Sequence, residues 1–189
     1  MNMIFTLVSE ATLETLAMVG FSTVFSLILG LPLGILLCVT DGETGIMKKP
    51  VLNQVLTRIV NVLRSFPFMI LMILLFPLSR KIVGTSIGTT ATIVPLSIAA
   101  APFVARIIET ALKEVDPGVV QAARAMGSTN MQIIWKVLLP EAMPSLVSGI
   151  TLTIINLIGY SAMAGAIGGG GLGDLAIRYG YQRFRTDIM

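Results

Sequence analysis

The sequence predicts an all-α integral membrane protein. Three observations point there: 12% of the residues are charged against 54% hydrophobic, the mean hydropathy is +0.89, and several charge-free runs are long enough to cross a bilayer. A soluble domain carries about 25% charged residues, so lipid must cover much of this surface and a soluble cytosolic enzyme is excluded. The chain has no His, which removes imidazole triads, His metal sites and imidazole proton shuttles. Its one cysteine, Cys38, cannot form an internal disulfide or a zinc site alone. No catalytic cluster, metal or cofactor is expected. A net charge of +3 without a basic block gives no reason to expect nucleic acid as a partner.

A helix crosses a hydrocarbon core of about 30 Å with about 20 largely apolar residues. The first predicted span is 15–40, where Gly30, Pro32 and Gly34 are tolerable because neighbouring helices cover the freed backbone. No Lys or Arg precedes Lys48, so this span lacks the basic start of a cleaved signal and is expected to remain. The second is 57–79, with Arg58 and Arg64 in its first turns, able to snorkel to the interface, and with Pro67 and Pro77 inside. The third is 82–105, rich in Ala and Thr, interrupted by Pro95 and Pro102, and suited to close helix packing. The fourth is 144–164, within a charge-free run from Ala142 to Gly173. Beyond it, Gly165 to Gly173 reads as a flexible joint, because glycine adopts backbone angles that other residues avoid. No Gly-Lys-Ser or Gly-Lys-Thr follows Gly168–Gly171, so a nucleotide-binding loop is not expected. Nothing after Gly173 is apolar enough to span, which gives four complete spans.

Lys and Arg set the orientation. Lys48, Lys49, Arg58, Arg106, Lys113, Arg124 and Lys136 outnumber Arg80, Lys81, Arg178, Arg183 and Arg185 on the opposite side. The N-terminus, bearing Glu10 and Glu14, is therefore expected outside and the segment 106–140 in the cytoplasm.

That segment holds the most informative pattern. Asp116-Pro117 reads as an N-cap with proline in the first helical position, and Gly127 as the stop of a helix over 117–126. Thr129 and Gln132 have capping-box spacing, so a second short helix starts at once and runs toward Leu139. Val119, Val120, Ala122, Ala123 and Met126 give the first helix an apolar side. Two readings are open at this point: an amphipathic loop lying on the bilayer, or a docking element whose Ala122, Ala123 and Gly127 permit close backbone approach.

Gln121-Ala122-Ala123, Gly127 and Leu139-Pro140 resemble the EAA motif of ABC importer permeases, in which Glu-Ala-Ala is followed by Gly at the sixth position and Leu-Pro at the eighteenth and nineteenth. Gln121 stands where the family usually has Glu, which keeps the size and removes a charge. The strings Arg64-Ser65-Phe66-Pro67-Phe68, Met131 to Pro140 and Tyr160 to Tyr179 resemble the methionine-uptake permease subfamily. That resemblance implies a single type-1 transmembrane domain over 1–189 with a coupling segment at 116–140. It also implies five spans, the last of which is expected to be missing from this chain. It further implies a passive transport subunit of the bacterial cytoplasmic (inner) membrane, not an enzyme. The implied partners are a second permease copy, two ATP-binding subunits that hydrolyse ATP, and an extracytoplasmic substrate-binding protein. Gln121, Ala122, Ala123, Gly127, Leu139 and Pro140 would couple to the ATPase, and methionine would cross by alternating access.

On the fourth span Ser145, Gly149, Leu152, Asn156, Gly159 and Met163 share one helical face. Either this face packs helix on helix through small and polar residues, with Asn156 hydrogen-bonding across the interface, or it lines the pathway, with Met163 as a movable apolar plug and Tyr160 and Ser161 adding hydrogen bonds. A membrane enzyme lacks its catalytic groups here, and a secondary transporter would show coupling acids or an internal repeat. The alternatives kept are an ABC permease for another small amino acid or related solute, and a channel-like membrane protein.

Overall fold

The computed structural model describes residues 2–185 and 187–189, and its regular structure is all helix, with no strand among the described residues. In chain order the helices are α1 (Asn2–Val39), α2 (Pro50–Ser65), α3 (Phe68–Val83), α4 (Thr89–Lys113), α5 (Pro117–Ala125), α6 (Asn130–Ile133), α7 (Leu139–Glu141), α8 (Met143–Gly165) and α9 (Gly171–Leu175). Wider π-type turns cover Ile134–Leu138 and Ala176–Tyr181. Ile4–Val39, Thr89–Lys113 and Met143–Gly165 are each long and apolar enough to cross a membrane, and α2 with α3 makes a fourth if the broken pair counts as one span.

Helix ends depart from the hydropathy reading for identifiable reasons. Helix α1 begins at Asn2 rather than near Thr15, because Glu10 and Glu14 interrupt the apolar run without disfavouring helix. The stretch expected as one span over 57–79 is two helices. Pro67 has no N–H and pushes Phe66 out of the helical region, so α2 stops at Ser65 and α3 restarts at Phe68. Gly84, at φ 87°, closes α3 in the left-handed region with its N–H on the Arg80 carbonyl at 3.0 Å. Helix α4 therefore starts at Thr89 rather than Ile82. It runs past Ala105 to Lys113 because Arg106, Glu109 and Lys113 pair along one face.

The described chain forms two compact units. The first takes residues 1–26, 66–100 and 153–189; the second takes 27–65 and 101–152. In the first, Met18, Val19, Leu96, Ala100 and Leu157 make a buried cluster with Phe68, Ile93 and Tyr160 against it. Pro95 cannot donate to the Ala91 carbonyl, and the buried Ser79 hydroxyl donates to that carbonyl instead, at 2.8 Å. In the second, Cys38, Val104, Ile108, Leu112, Ala123, Ile133, Leu138 and Leu146 lie in the main cluster, which ties the short helices to α1 and α4. Gly30 and Gly34 make that packing possible: a Cβ on Gly30 would lie 2.6 Å from Val104 Cγ1, and one on Gly34 2.6 Å from the Ala105 carbonyl.

Candidate functional site

Within the second unit, α5 to α7 form a small helical knob. The Asp116 carboxylate accepts from the Gly118 N–H at 2.7 Å and opens α5. Gly127, at φ 80°, turns the chain after Met126. Thr129 and Gln132 then form a reciprocal capping box: the Thr129 N–H donates to Gln132 Oε1 at 2.8 Å, and the Gln132 N–H donates to Thr129 Oγ1 at 3.4 Å. The π-type turn at Ile134–Leu138 sits just ahead of Pro140. A regular helix would press the Pro140 ring on the Lys136 carbonyl, and the wider turn with its Leu139 N–H to Ile134 O bond lets the chain continue.

The motif residues divide by burial. Ala123 is buried in the core and Leu139 packs against it, so these two anchor the knob. Gln121, Ala122, Gly127 and Pro140 are exposed. The apolar side expected for α5 is split: Val120 and Ala123 face inward, whereas Met126 is 79% exposed. Met131 and Trp135 of the following turns are also exposed, at 64% and 58%, so the knob presents an uncovered apolar surface that its spacing alone did not reveal. Gln121 and Arg124 line a cavity of about 340 Å³ with Lys48 and Lys113, and the Arg124 guanidinium donates to the Ile46 carbonyl at 3.0 Å.

A charge network braces the same unit. Lys113 Nζ donates to Asp41 Oδ2 at 2.8 Å and to Glu109 Oε1 at 2.9 Å. Arg106 donates to Glu109 Oε2 at 2.6 Å and to Asn61 Oδ1 at 3.0 Å. Asp41 also accepts from the backbone N–H groups of Glu43 and Thr44. The hydrogen bond from Lys113, helped by that from Thr44, holds the Asp41 carboxyl well below the usual carboxylate range.

The residues proposed from the fourth span fall on α8 but not in one environment. Asn156 is exposed, and Met163 is 47% exposed. Tyr160 is half-buried, its ring stacked on Phe68 with centroids 4.2 Å apart and planes 8° from parallel. Tyr160 thus packs within the first unit, and the three side chains differ in exposure. Ser161 spends its hydroxyl on the Ile158 carbonyl at 2.8 Å.

The expected flexible joint is a tightly built turn. The Glu14 carboxylate accepts the Gly171 N–H at 2.6 Å, and Thr15 Oγ1 accepts the Leu172 N–H at 2.9 Å, capping α9 from α1. Glu14 carries a role that sequence reasoning missed, since its partner lies 157 positions away.

A family described as the binding-protein-dependent transport system inner membrane component matches residues 30–189. A probable D-methionine transport system permease protein of Vibrio cholerae is 52% identical over 183 residues, 97% of this chain and 81% of that protein. One of Pasteurella multocida is 54% identical over 180 residues, 95% of this chain and 82% of that protein. A solved structure described as an inward-facing conformation of the MetNI methionine ABC transporter superposes with a TM-score of 0.97 at 48% identity, covering 100% of this chain and 87% of that one.

Proposed function

The chain belongs to the family of inner membrane components of binding-protein-dependent transport systems, and from that premise we propose that it is the permease subunit of an ATP-driven importer that moves methionine across the cytoplasmic membrane. The observation that carries the substrate is the identity of 52% over 97% of the chain to a protein named for D-methionine transport. The structural likeness to a methionine transporter supports the same reading.

In this reading the whole chain acts as one transmembrane domain, and a second copy completes the pathway. Two ATP-binding subunits hydrolyse ATP, and an extracytoplasmic binding protein delivers the amino acid. The N-terminus lies outside, which puts the α5–α7 knob in the cytoplasm. Gln121, Ala122 and Gly127 with Pro140 then form the surface that docks on the ATPase, and the exposed Met126, Met131 and Trp135 support that role. Ala123 and Leu139 anchor the surface to the core, so movement of the ATPase passes to α1 and α4 through packed side chains. The Asp41–Lys113–Glu109–Arg106 network stiffens the same junction. Asn156 and Met163 line the pathway from the exposed face of α8, with Tyr160 holding that face by its stack on Phe68.

The test is uptake of radiolabelled D- and L-methionine into proteoliposomes holding the full complex. Uptake is expected to require ATP and to fall much further in Gly127→Trp than in Gly127→Ala, which carries the same left-handed backbone penalty without the bulk. ATP-independent flux, or uptake of another solute in place of methionine, would overturn the reading.

A further inference from the structure

The second unit holds a cleft of about 580 Å³, within the size range of small-molecule sites. Arg64 of α2 lines it, together with Arg106 and Glu114 of α4 and an apolar wall of Phe103, Ile107 and Leu152. Its charged groups differ in how far they are committed. Arg106 is spent on Glu109 and Asn61. Glu114 accepts from the Ser145 hydroxyl at 2.5 Å and keeps its second carboxylate oxygen. The Arg64 guanidinium has no ion-pair partner among the described residues.

The pattern of α2 shows what the cleft contains. Gln54, Arg58, Asn61 and Arg64 recur at helical spacing and are exposed, while Val51, Val55, Ile59 and Val62 form a separate exposed apolar stripe. In a membrane protein the apolar stripe meets lipid and a stripe with two arginines meets water. The cleft beside Arg64 thus opens on the polar side of α2 and offers one uncommitted cation, a carboxylate and an apolar wall. Gly149 and Leu152 in its lining belong to the same stripe of α8 as Asn156 and Met163.

We propose that this cleft is a station for the transported amino acid, with the Arg64 guanidinium forking its carboxylate and its side chain lying against Phe103, Ile107 and Leu152. The inference rests on the reading that the chain moves methionine. The Glu114 carboxylate keeps the recess from favouring simple anions and selects a zwitterion. Arginine suits the carboxylate because its planar fork makes two parallel hydrogen bonds.

The test uses the full complex in nanodiscs with Ser148→Cys as reporter in the cleft wall and Leu152→Cys as a second reporter; Cys38 is buried. A membrane-impermeant maleimide is added with methionine or with methioninol, the same molecule carrying an alcohol in place of the carboxylate. Methionine is expected to slow labelling and methioninol not to. Arg64→Gln is expected to raise the methionine concentration needed for protection by about tenfold, the loss of one charge-assisted pair. Equal labelling with and without methionine at both reporters, in complexes that still take up methionine with ATP, would overturn the station and leave the transport reading intact. Protection by methioninol as strong as by methionine would overturn the role of Arg64. Absence of ATP-driven methionine uptake by the unsubstituted complex would overturn the transport reading and the station with it.

Discussion

Gly127 and the run from Gly165 to Gly173 both mark places where the chain turns, yet glycine serves different needs at the two. Gly127 sits at φ 80° and is exposed, and a Cβ added there would meet nothing within 4 Å. Only its backbone angle asks for glycine. In the second region, Gly168, Gly170 and Gly171 also take positive φ, but space asks for glycine as well. A Cβ on Gly165 would lie 2.3 Å from the Asp174 nitrogen, and one on Gly173 would lie 2.3 Å from the Ala162 carbonyl oxygen. The first turn is open to a partner, while the second is closed by its own chain. A run of glycines in sequence therefore does not by itself mean freedom.

The largest expected effect breaks the closed turn. Gly173→Ala or Gly165→Ala forces a methyl group into backbone atoms that cannot move like a side chain, at a cost of about 3 kcal/mol or more. Thermal unfolding in detergent should fall steeply for either variant. A melting temperature within a degree of the parent protein would show that the turn is loose after all. Next comes Glu14→Ala, which leaves the Gly171 N–H without its acceptor and should cost about 1–3 kcal/mol. Glu14→Gln retains an acceptor oxygen and should recover part of that loss. Hydrogen exchange at Gly171 and Leu172 reads the difference directly, and unchanged protection in Glu14→Ala would remove Glu14 from the turn.

Much of this contrast was legible in the sequence on one side only. Asp116, Pro117, Gly127, Thr129 and Gln132 act within a few residues of themselves, so spacing alone located both caps and the stop between them. The helical membrane fold was legible for a similar reason, because charge-free runs report on lipid residue by residue. The closed turn was not legible: Glu14, Thr15 and Gly171 meet across most of the chain. Nor was the break at Pro67, since hydropathy runs through a proline that the backbone does not. The uncovered Met126 and Trp135 were hidden because periodicity marks an apolar side without saying what covers it.

At the open turn the effects should be smaller. Gly127→Ala pays only for placing a Cβ in the left-handed region, about 1–2 kcal/mol, and Gly127→Asn should pay less because Asn tolerates that region. Thr129→Ala removes half of the capping box and should cost about 1 kcal/mol. All three variants should retain the fold, so a defect in ATP-driven uptake larger than their loss of stability would place the function in the shape of this turn. Losses matching those of Gly173→Ala would erase the distinction between the two turns.

The smallest effect concerns the junction beneath the knob, and it is a matter of pH. Lys113 holds the Asp41 carboxyl below its ordinary value of 3.8 in the folded protein. A depressed carboxyl stabilises the fold wherever it is ionised in both states, and that contribution is lost only as the pH falls from the ordinary value toward the depressed one. The stability gap between the parent protein and Asp41→Asn should therefore stay flat from neutral pH down to about pH 5 and narrow below the ordinary carboxylate value. Thermal melts of both proteins across that range measure it. A gap that closes already between neutral pH and pH 5 would mean that Asp41 is not held down by Lys113, and that the junction under the open turn is as loose as the turn itself.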